Sequence, residues 1–129
     1  MFFDTSAALA LADVSDLHHN RAVRAMQRVV ASGQPLLTHN YVLIETVALL
    51  QRRLGMPSAR AFLSDAQNFT VHWVTPDDHA EAAALFEQHN RRGLSLVDCM
   101  SFAVMRKYRC SAALAYDADF QAEGFDVFE

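Results

Sequence analysis

Five carboxylates stand where short apolar runs meet helical ones. Asp4 closes the run Phe2–Phe3, and Asp117 closes the run from Ala112 to Tyr116, with Asp119 two residues further on. Glu45 falls in the first turns of an apolar stretch from Tyr41 to Leu54, and Asp98 in the first turn of another from Val97 to Tyr108. Carboxylates brought close together repel one another, so some take up protons or a cation neutralises them. An all-oxygen donor set suits Mg²⁺ or Mn²⁺ rather than zinc. Such an ion keeps several waters and takes phosphate as a partner ligand, which is the layout of metal-assisted phosphodiester hydrolysis. Each acid also has a plainer role. Asp98 follows Ser95 by three, as in a capping box. Asp4 and Asp117 could simply end strands, and Asp119 could cap the short turn behind it. Glu45 is harder to place this way, because it sits between Ile44 and Val47, where an unpaired buried carboxylate is costly.

For these acids to meet, the elements must alternate. Phe2 and Phe3 start a strand, closed by Asp4, Thr5 and Ser6, and Thr5 or Ser6 can cap a helix from about Ala7. Leu17, Ala22, Val23, Met26, Val29 and Val30 have helical spacing, and Gly33 ends that helix. Leu36 to Thr38 reads as a strand. Tyr41 to Leu54 reads as a mostly buried helix stopped by Gly55 and Pro57. Ser58 to Asn68 is a short amphipathic helix and Thr70 to Val74 an alternating strand. Pro76, Asp77 and Asp78 suit the first turn of a helix running to about Arg92, with Gly93 behind it. A helix from Val97 to Tyr108, a strand from Ala112, a turn or helix at Asp119 to Ala122 and an edge strand at Asp126 to Phe128 complete the chain. Strands separated by helices predict an α/β fold, a parallel sheet with helices on both faces. In such a sheet the carboxyl ends of the strands and the amino ends of the helices share one edge, where open α/β sheets bind ligands. Asp4, Glu45, Asp98 and Asp117 all fall on that edge. They converge if the first strand and the Asp117 strand are neighbours.

The remaining composition narrows the class. The chain has 129 residues, 52% apolar and 20% charged, with four glycines and three prolines, which fits one packed domain over 1–129 and excludes a low-complexity or disordered chain. No apolar run is long enough to span a membrane, and no basic stretch precedes the apolar residues Ala7 to Ala12, so a cytoplasmic protein without a signal peptide is expected. Cys99 and Cys110 read as reduced thiols. The net charge of −4 argues mildly against backbone-driven nucleic-acid binding by the chain as a whole, but not against a local site. Arg21, Arg24 and Arg28 share one helical face, read as solvated or as a contact for RNA or an acidic partner. Arg52 with Arg53 and Arg91 with Arg92 read as dipole partners at helix ends. The six histidines show no metal-ligand spacing and read as non-catalytic.

Four segments in order, FFDTSAALAL, YVLIETVALL, GLSLVDCMSFAVM and ALAYDADFQAEGF, resemble the PIN-domain family, and within it the VapC-type toxins of type II toxin–antitoxin systems. The resemblance covers essentially the whole chain. It implies a three-layer α/β/α domain with a five-stranded parallel sheet of strand order 3-2-1-4-5, which places the first strand beside the Asp117 strand. It implies an endoribonuclease that binds one or two Mg²⁺ or Mn²⁺ ions. By motif, Asp4, Glu45, Asp98 and Asp117 match the core acids as catalytic residues. Asp4, Asp98 and Asp117 would be the metal ligands, Glu45 a ligand or the holder of the attacking water, and Asp119 an often-acidic further position. Ser6 matches the hydroxyl residue that shapes the site. One departure stands out: many relatives carry Thr where this chain has Ala115. The resemblance further implies an RNA substrate, a cognate antitoxin that covers the site, and a homodimer or a heteromer with the antitoxin.

Two other readings compete. One is a PIN-domain RNA or DNA processing nuclease, or an inactive binding module, outside a toxin–antitoxin pair. The other is a phosphoacceptor receiver-like module, which also gathers acids at the carboxyl edge of a parallel sheet. Receivers normally pair acids near the first strand end and carry a lysine beyond the last strand. Here Asp4 stands alone and Lys107 lies within a helical stretch.

Overall fold

A computed structural model describes residues 1–128. Five short parallel strands, β1 (Phe2–Phe3), β2 (Leu37–His39), β3 (Thr70–His72), β4 (Ala112–Leu114) and β5 (Asp126–Val127), form one sheet in the order β3-β2-β1-β4-β5. The helices are α1 (Thr5–Ala12), α2 (His19–Ser32), α3 (Asn40–Leu54), α4 (Met56–Asp65), α5 (Pro76–Gln88), α6 (Leu96–Lys107) and the one-turn α7 (Asp119–Ala122). This is the doubly covered sheet, with the strand order that the resemblance implies.

Side chains alternate across a strand, so neighbouring residues serve opposite faces. Phe2 and Ala113 join one core with Met100, Phe102 and Phe120, while Phe3 and Leu114 join a second with Ala25, Val29, Leu50 and Phe62. The first core lies under α5, α6 and α7, the second under α1, α2 and α4. Helix α3 crosses between them, giving Val42 to the first and Leu50 to the second.

Several elements differ from expectation, each for a local reason. The cap of α1 is Asp4 rather than Thr5 or Ser6, because its carboxylate reaches the Ser6 N–H. Strand β3 stops at His72, since the Val74 N–H turns aside to the Asn40 carbonyl oxygen Oδ1 at 2.7 Å. Strand β4 stops at Leu114, and the Tyr116 N–H goes to the Ser6 hydroxyl at 2.9 Å. Helix α3 is not mostly buried: only Val42, Thr46 and Leu50 are, one stripe at four-residue spacing, and Ile44 is 66% exposed. Pro57 does not stop α3 but sits in the first turn of α4. Helix α5 ends at Gln88, short of Arg92. Gly33 closes α2 in the left-handed conformation at φ 71°, as its position suggests.

One polar cluster ties β3 to α5 and α6. Thr75 and Asp78 form a capping box, and Asp78 also accepts from His72 Nε2 at 2.7 Å and Lys107 Nζ at 3.2 Å. The Thr75 N–H and then His72 hold this carboxyl well below the usual carboxylate range. Asp78→Ala removes a cap and charge-assisted bonds together, so it is expected to cost about 2–3 kcal/mol at neutral pH. A depressed acid stabilises only above its unfolded-state pKa, so the deficit should narrow as pH falls below about 4. Urea melts of both proteins at neutral and acid pH check this.

Candidate metal centre

Asp4 ends β1 and begins α1, and its Oδ2 accepts from the Ser6 N–H at 3.0 Å and the Ser6 hydroxyl at 2.6 Å. The same hydroxyl accepts from the Tyr116 N–H. Ser6 therefore clamps the first acid to the chain leaving β4, at the residue just before Asp117. Asp98 is the third residue of α6, and the expected capping box is there: the Ser95 N–H donates to Asp98 Oδ2 at 3.0 Å and the Asp98 N–H to Ser95 Oγ at 3.1 Å. Asp117 follows β4, and its Oδ1 accepts from the Asp119 N–H at 3.0 Å. The capping role of Asp98 and the strand-end places of Asp4 and Asp117 are thus real, whereas Asp119 does not cap the turn behind it: it is the first residue of α7, which has no side-chain cap bond.

The electrostatics link the four aspartates. Burial pushes Asp4 up to about 7, with the Ser6 bonds pulling against it and the charges of Asp117 and Asp98 adding to it. Burial, then Asp98 and Asp119, pushes Asp117 up to about 6. Asp98 is raised by burial and by Asp119, and lowered by its Ser95 bonds and by Arg91. Glu45 lies half-buried on α3, one residue before Thr46, whose hydroxyl donates to Thr5 Oγ1 at 3.0 Å beside Asp4. Its own segment thus abuts the site, while the repulsions named here come from the aspartates. Ala115 is fully buried in the core under α6 and α7, where a hydroxyl would add a polar atom.

Among the described residues, no three His, Cys, Asp or Glu side chains are arranged to close on one ion. The donor chemistry nevertheless fits a hard divalent cation. Three carboxylates, from the ends of β1 and β4 and the start of α6, are destabilised in their charged form by burial and by one another. A bound cation relieves that penalty.

Two residues of this edge were missed or misread from the sequence. Arg91 is not a helix-end dipole partner, because α5 has already ended. Its guanidinium lies 3.7 Å from Asp119 and 3.4 Å from Glu123. Glu123 also pairs with Arg106 at 2.9 Å and His89 at 3.1 Å. Its signal was its place four residues after Asp119, on the same side of a helical turn. Of the histidines, His39 is buried, bonds Ser101 Oγ at 2.9 Å and is held by burial down to about 3, a neutral core group.

Strand order 3-2-1-4-5 with aspartates at the ends of β1 and β4 and at the start of the helix before β4 defines the class. The PIN-domain family model matches residues 1–125, and this chain belongs to that family. Among curated proteins it is 40% identical over 128 residues to the 23S rRNA-specific endonuclease VapC20 of Mycobacterium tuberculosis strains H37Rv and CDC 1551, covering 97% of this chain and 95% of the relative. The crystal structure of Mycobacterium tuberculosis VapC20, described as a sarcin-ricin loop cleaving toxin, superposes with a TM-score of 0.85 at 39% identity, covering 96% of this chain and 95% of that one.

Proposed function

We propose that this chain is a divalent-metal-dependent endoribonuclease toxin of the VapC kind, a single domain that cuts ribosomal RNA and is neutralised by a cognate antitoxin. The observation that carries the chemistry is the set of three mutually repelling aspartates, the buried Asp4 and the half-buried Asp98 and Asp117, with Asp119 beside them. The likeness to VapC20 supports ribosomal RNA as the substrate class.

Asp4, Asp98 and Asp117 would hold one or two Mg²⁺ or Mn²⁺ ions, with Asp119 and Glu45 as the outer acids. Bound there, such an ion supplies Lewis acidity toward the scissile phosphate and a nucleophilic water at neutral pH. Ser6 fixes which oxygen of Asp4 is spent on the fold, since both of its bonds go to Oδ2. Arg91, tied to Asp119 and Glu123, brings one positive charge to an edge that would otherwise repel RNA. The antitoxin and a homodimer, or a heteromer with the antitoxin, are the protein partners we infer. No helix among the described residues is long and apolar enough to cross a membrane. We place the protein in the cytoplasm, where its RNA is.

Incubating the purified protein with ribosomes in Mg²⁺ or Mn²⁺, beside an EDTA control, tests the reading. Discrete fragments of the large-subunit RNA that vanish in EDTA are expected. Cleavage confined to transfer or messenger RNA would refute the substrate class, and cleavage indifferent to EDTA would refute the metal centre.

A further inference from the structure

We propose that Arg91 is the built-in counter-charge of the aspartate site and sets its affinity for a divalent cation, and that Glu123 is the positioning residue that holds Arg91 back from the acids. This rests on the metal-dependent nuclease reading above and names the residues that regulate the same site.

Glu123 takes more positive charge than one carboxylate can neutralise. Its side chain directly follows α7 and is only 13% exposed. Its Oε2 accepts from Arg106 at 2.9 Å, while its Oε1 lies 3.1 Å from His89 Nε2 and 3.4 Å from Arg91 Nη2. Both arginines are permanently charged, so two full positive charges meet one negative. Arg106 makes the shorter contact. It stands eight residues after Asp98 on α6, roughly 12 Å along the helix axis. Arg91 makes the longer contact, from the loop that leads into α6.

The other end of the Arg91 fork faces the site. Its Nη1 lies 3.7 Å from Asp119 Oδ1, and the Asp119 N–H donates to Asp117 Oδ1 at 3.0 Å. Asp119 and Glu123 are four residues apart, so one guanidinium can bridge them across a single helical turn. Against the burial that raises Asp98, Arg91 and Ser95 are the groups that pull it down. Arg91 thus does part of a cation's work, favouring the ionised acids. For the same reason its charge opposes the uptake of a second cation there. Glu123 limits that opposition by engaging part of the guanidinium. Loss of Arg91 and loss of Glu123 therefore act on cation affinity with opposite signs. If the pair served only to pack α7 against the loop, both losses would weaken binding.

The test measures Mn²⁺ binding to the purified protein, with no RNA present, from the electron paramagnetic resonance signal of the free ion. Asp98→Asn identifies the site, because it should remove the tight binding. Arg91→Gln should bind Mn²⁺ about tenfold more tightly than the parent, and Glu123→Gln about tenfold more weakly, effects of the size that partners of metal ligands command. Arg91→Lys keeps the charge and should stay near the parent. In the Arg91→Gln background, Glu123→Gln should change affinity far less than it does alone, since the two act as one pair. Arg106→Gln makes the same change in net charge away from the aspartates and should stay within about twofold of the parent. Added KCl should shrink the gain of Arg91→Gln, because its side chain is 37% exposed. Unchanged or weaker binding in Arg91→Gln, or an equal gain in Arg106→Gln, would overturn the counter-charge while leaving the metal centre intact. Mn²⁺ binding that Asp98→Asn does not diminish would overturn the metal centre and this role together.

Discussion

Asp98→Asn is expected to fold normally and to lose RNA cleavage by at least about a hundredfold, since even residues that merely support a metal ligand cost up to that much. The fold should survive because asparagine keeps a side-chain oxygen for the Ser95 N–H, so the capping box of α6 loses charge but not its acceptor. Asp4→Asn should behave alike, because its amide oxygen can still take the two Ser6 donors. What both lose is the negative charge that holds a cation. Glu45→Gln should lower cleavage less than either, because among the described residues no hydrogen bond fixes its half-buried side chain on α3 as Ser6 and Ser95 fix Asp4 and Asp98. Cleavage assays on the three variants, with circular dichroism as the folding check, decide the ranking. Retained activity in both aspartate variants would remove these residues from the centre.

The second large effect is on stability. Asp4 is raised to about 7 and Asp117 to about 6, so between their ordinary unfolded values near 4 and those pH values the folded chain binds more protons than the unfolded one. Stability then falls as pH rises through that window and levels off above it. His39 acts in the opposite sense: held down to about 3, it makes the unfolded chain the better proton binder from there to about 6.5, so it favours folding as pH rises. Two raised acids outweigh one lowered histidine. The metal-free protein should therefore be most stable in mildly acidic solution and lose stability toward neutrality. Asp4→Asn removes the largest shift. Its melting temperature in EDTA should match the parent near pH 4 and exceed it by several degrees at neutral pH, a difference on the order of a few kcal/mol. Mg²⁺ or Mn²⁺ should raise the melting temperature of the parent at neutral pH and leave Asp4→Asn much less affected. A parent that melts lower than Asp4→Asn at pH 4, or gains nothing from either ion, would contradict this.

Much of the fold was legible because single residues carry strong local signals. Phe2 and Phe3 alternate into opposite cores, Gly33 closes α2, and the Ser95–Asp98 spacing is the capping box it resembles. The acids were legible because strand ends and helix starts share one edge in a parallel sheet. What sequence could not show are effects of tertiary partners. Whether β4 ends at Leu114 or Tyr116 depends on the Ser6 hydroxyl, more than a hundred residues away in sequence. The exposure of Ile44 depends on α3 having only one face against the sheet, and an apolar composition alone does not reveal how many faces are covered. Arg91 reaches Glu123, at the end of α7, from the loop between α5 and α6, which is longer than the run to Arg92 suggests because α5 stops at Gln88.

The central claim is that Asp4, Asp98 and Asp117 form a divalent-metal site. It is tested most directly by crystals grown with Mn²⁺ and measured at a wavelength where manganese scatters anomalously. The account predicts an anomalous peak bounded by these three carboxylates. A Mn²⁺ peak elsewhere in the protein, or none at that edge at a concentration that supports cleavage, would contradict it.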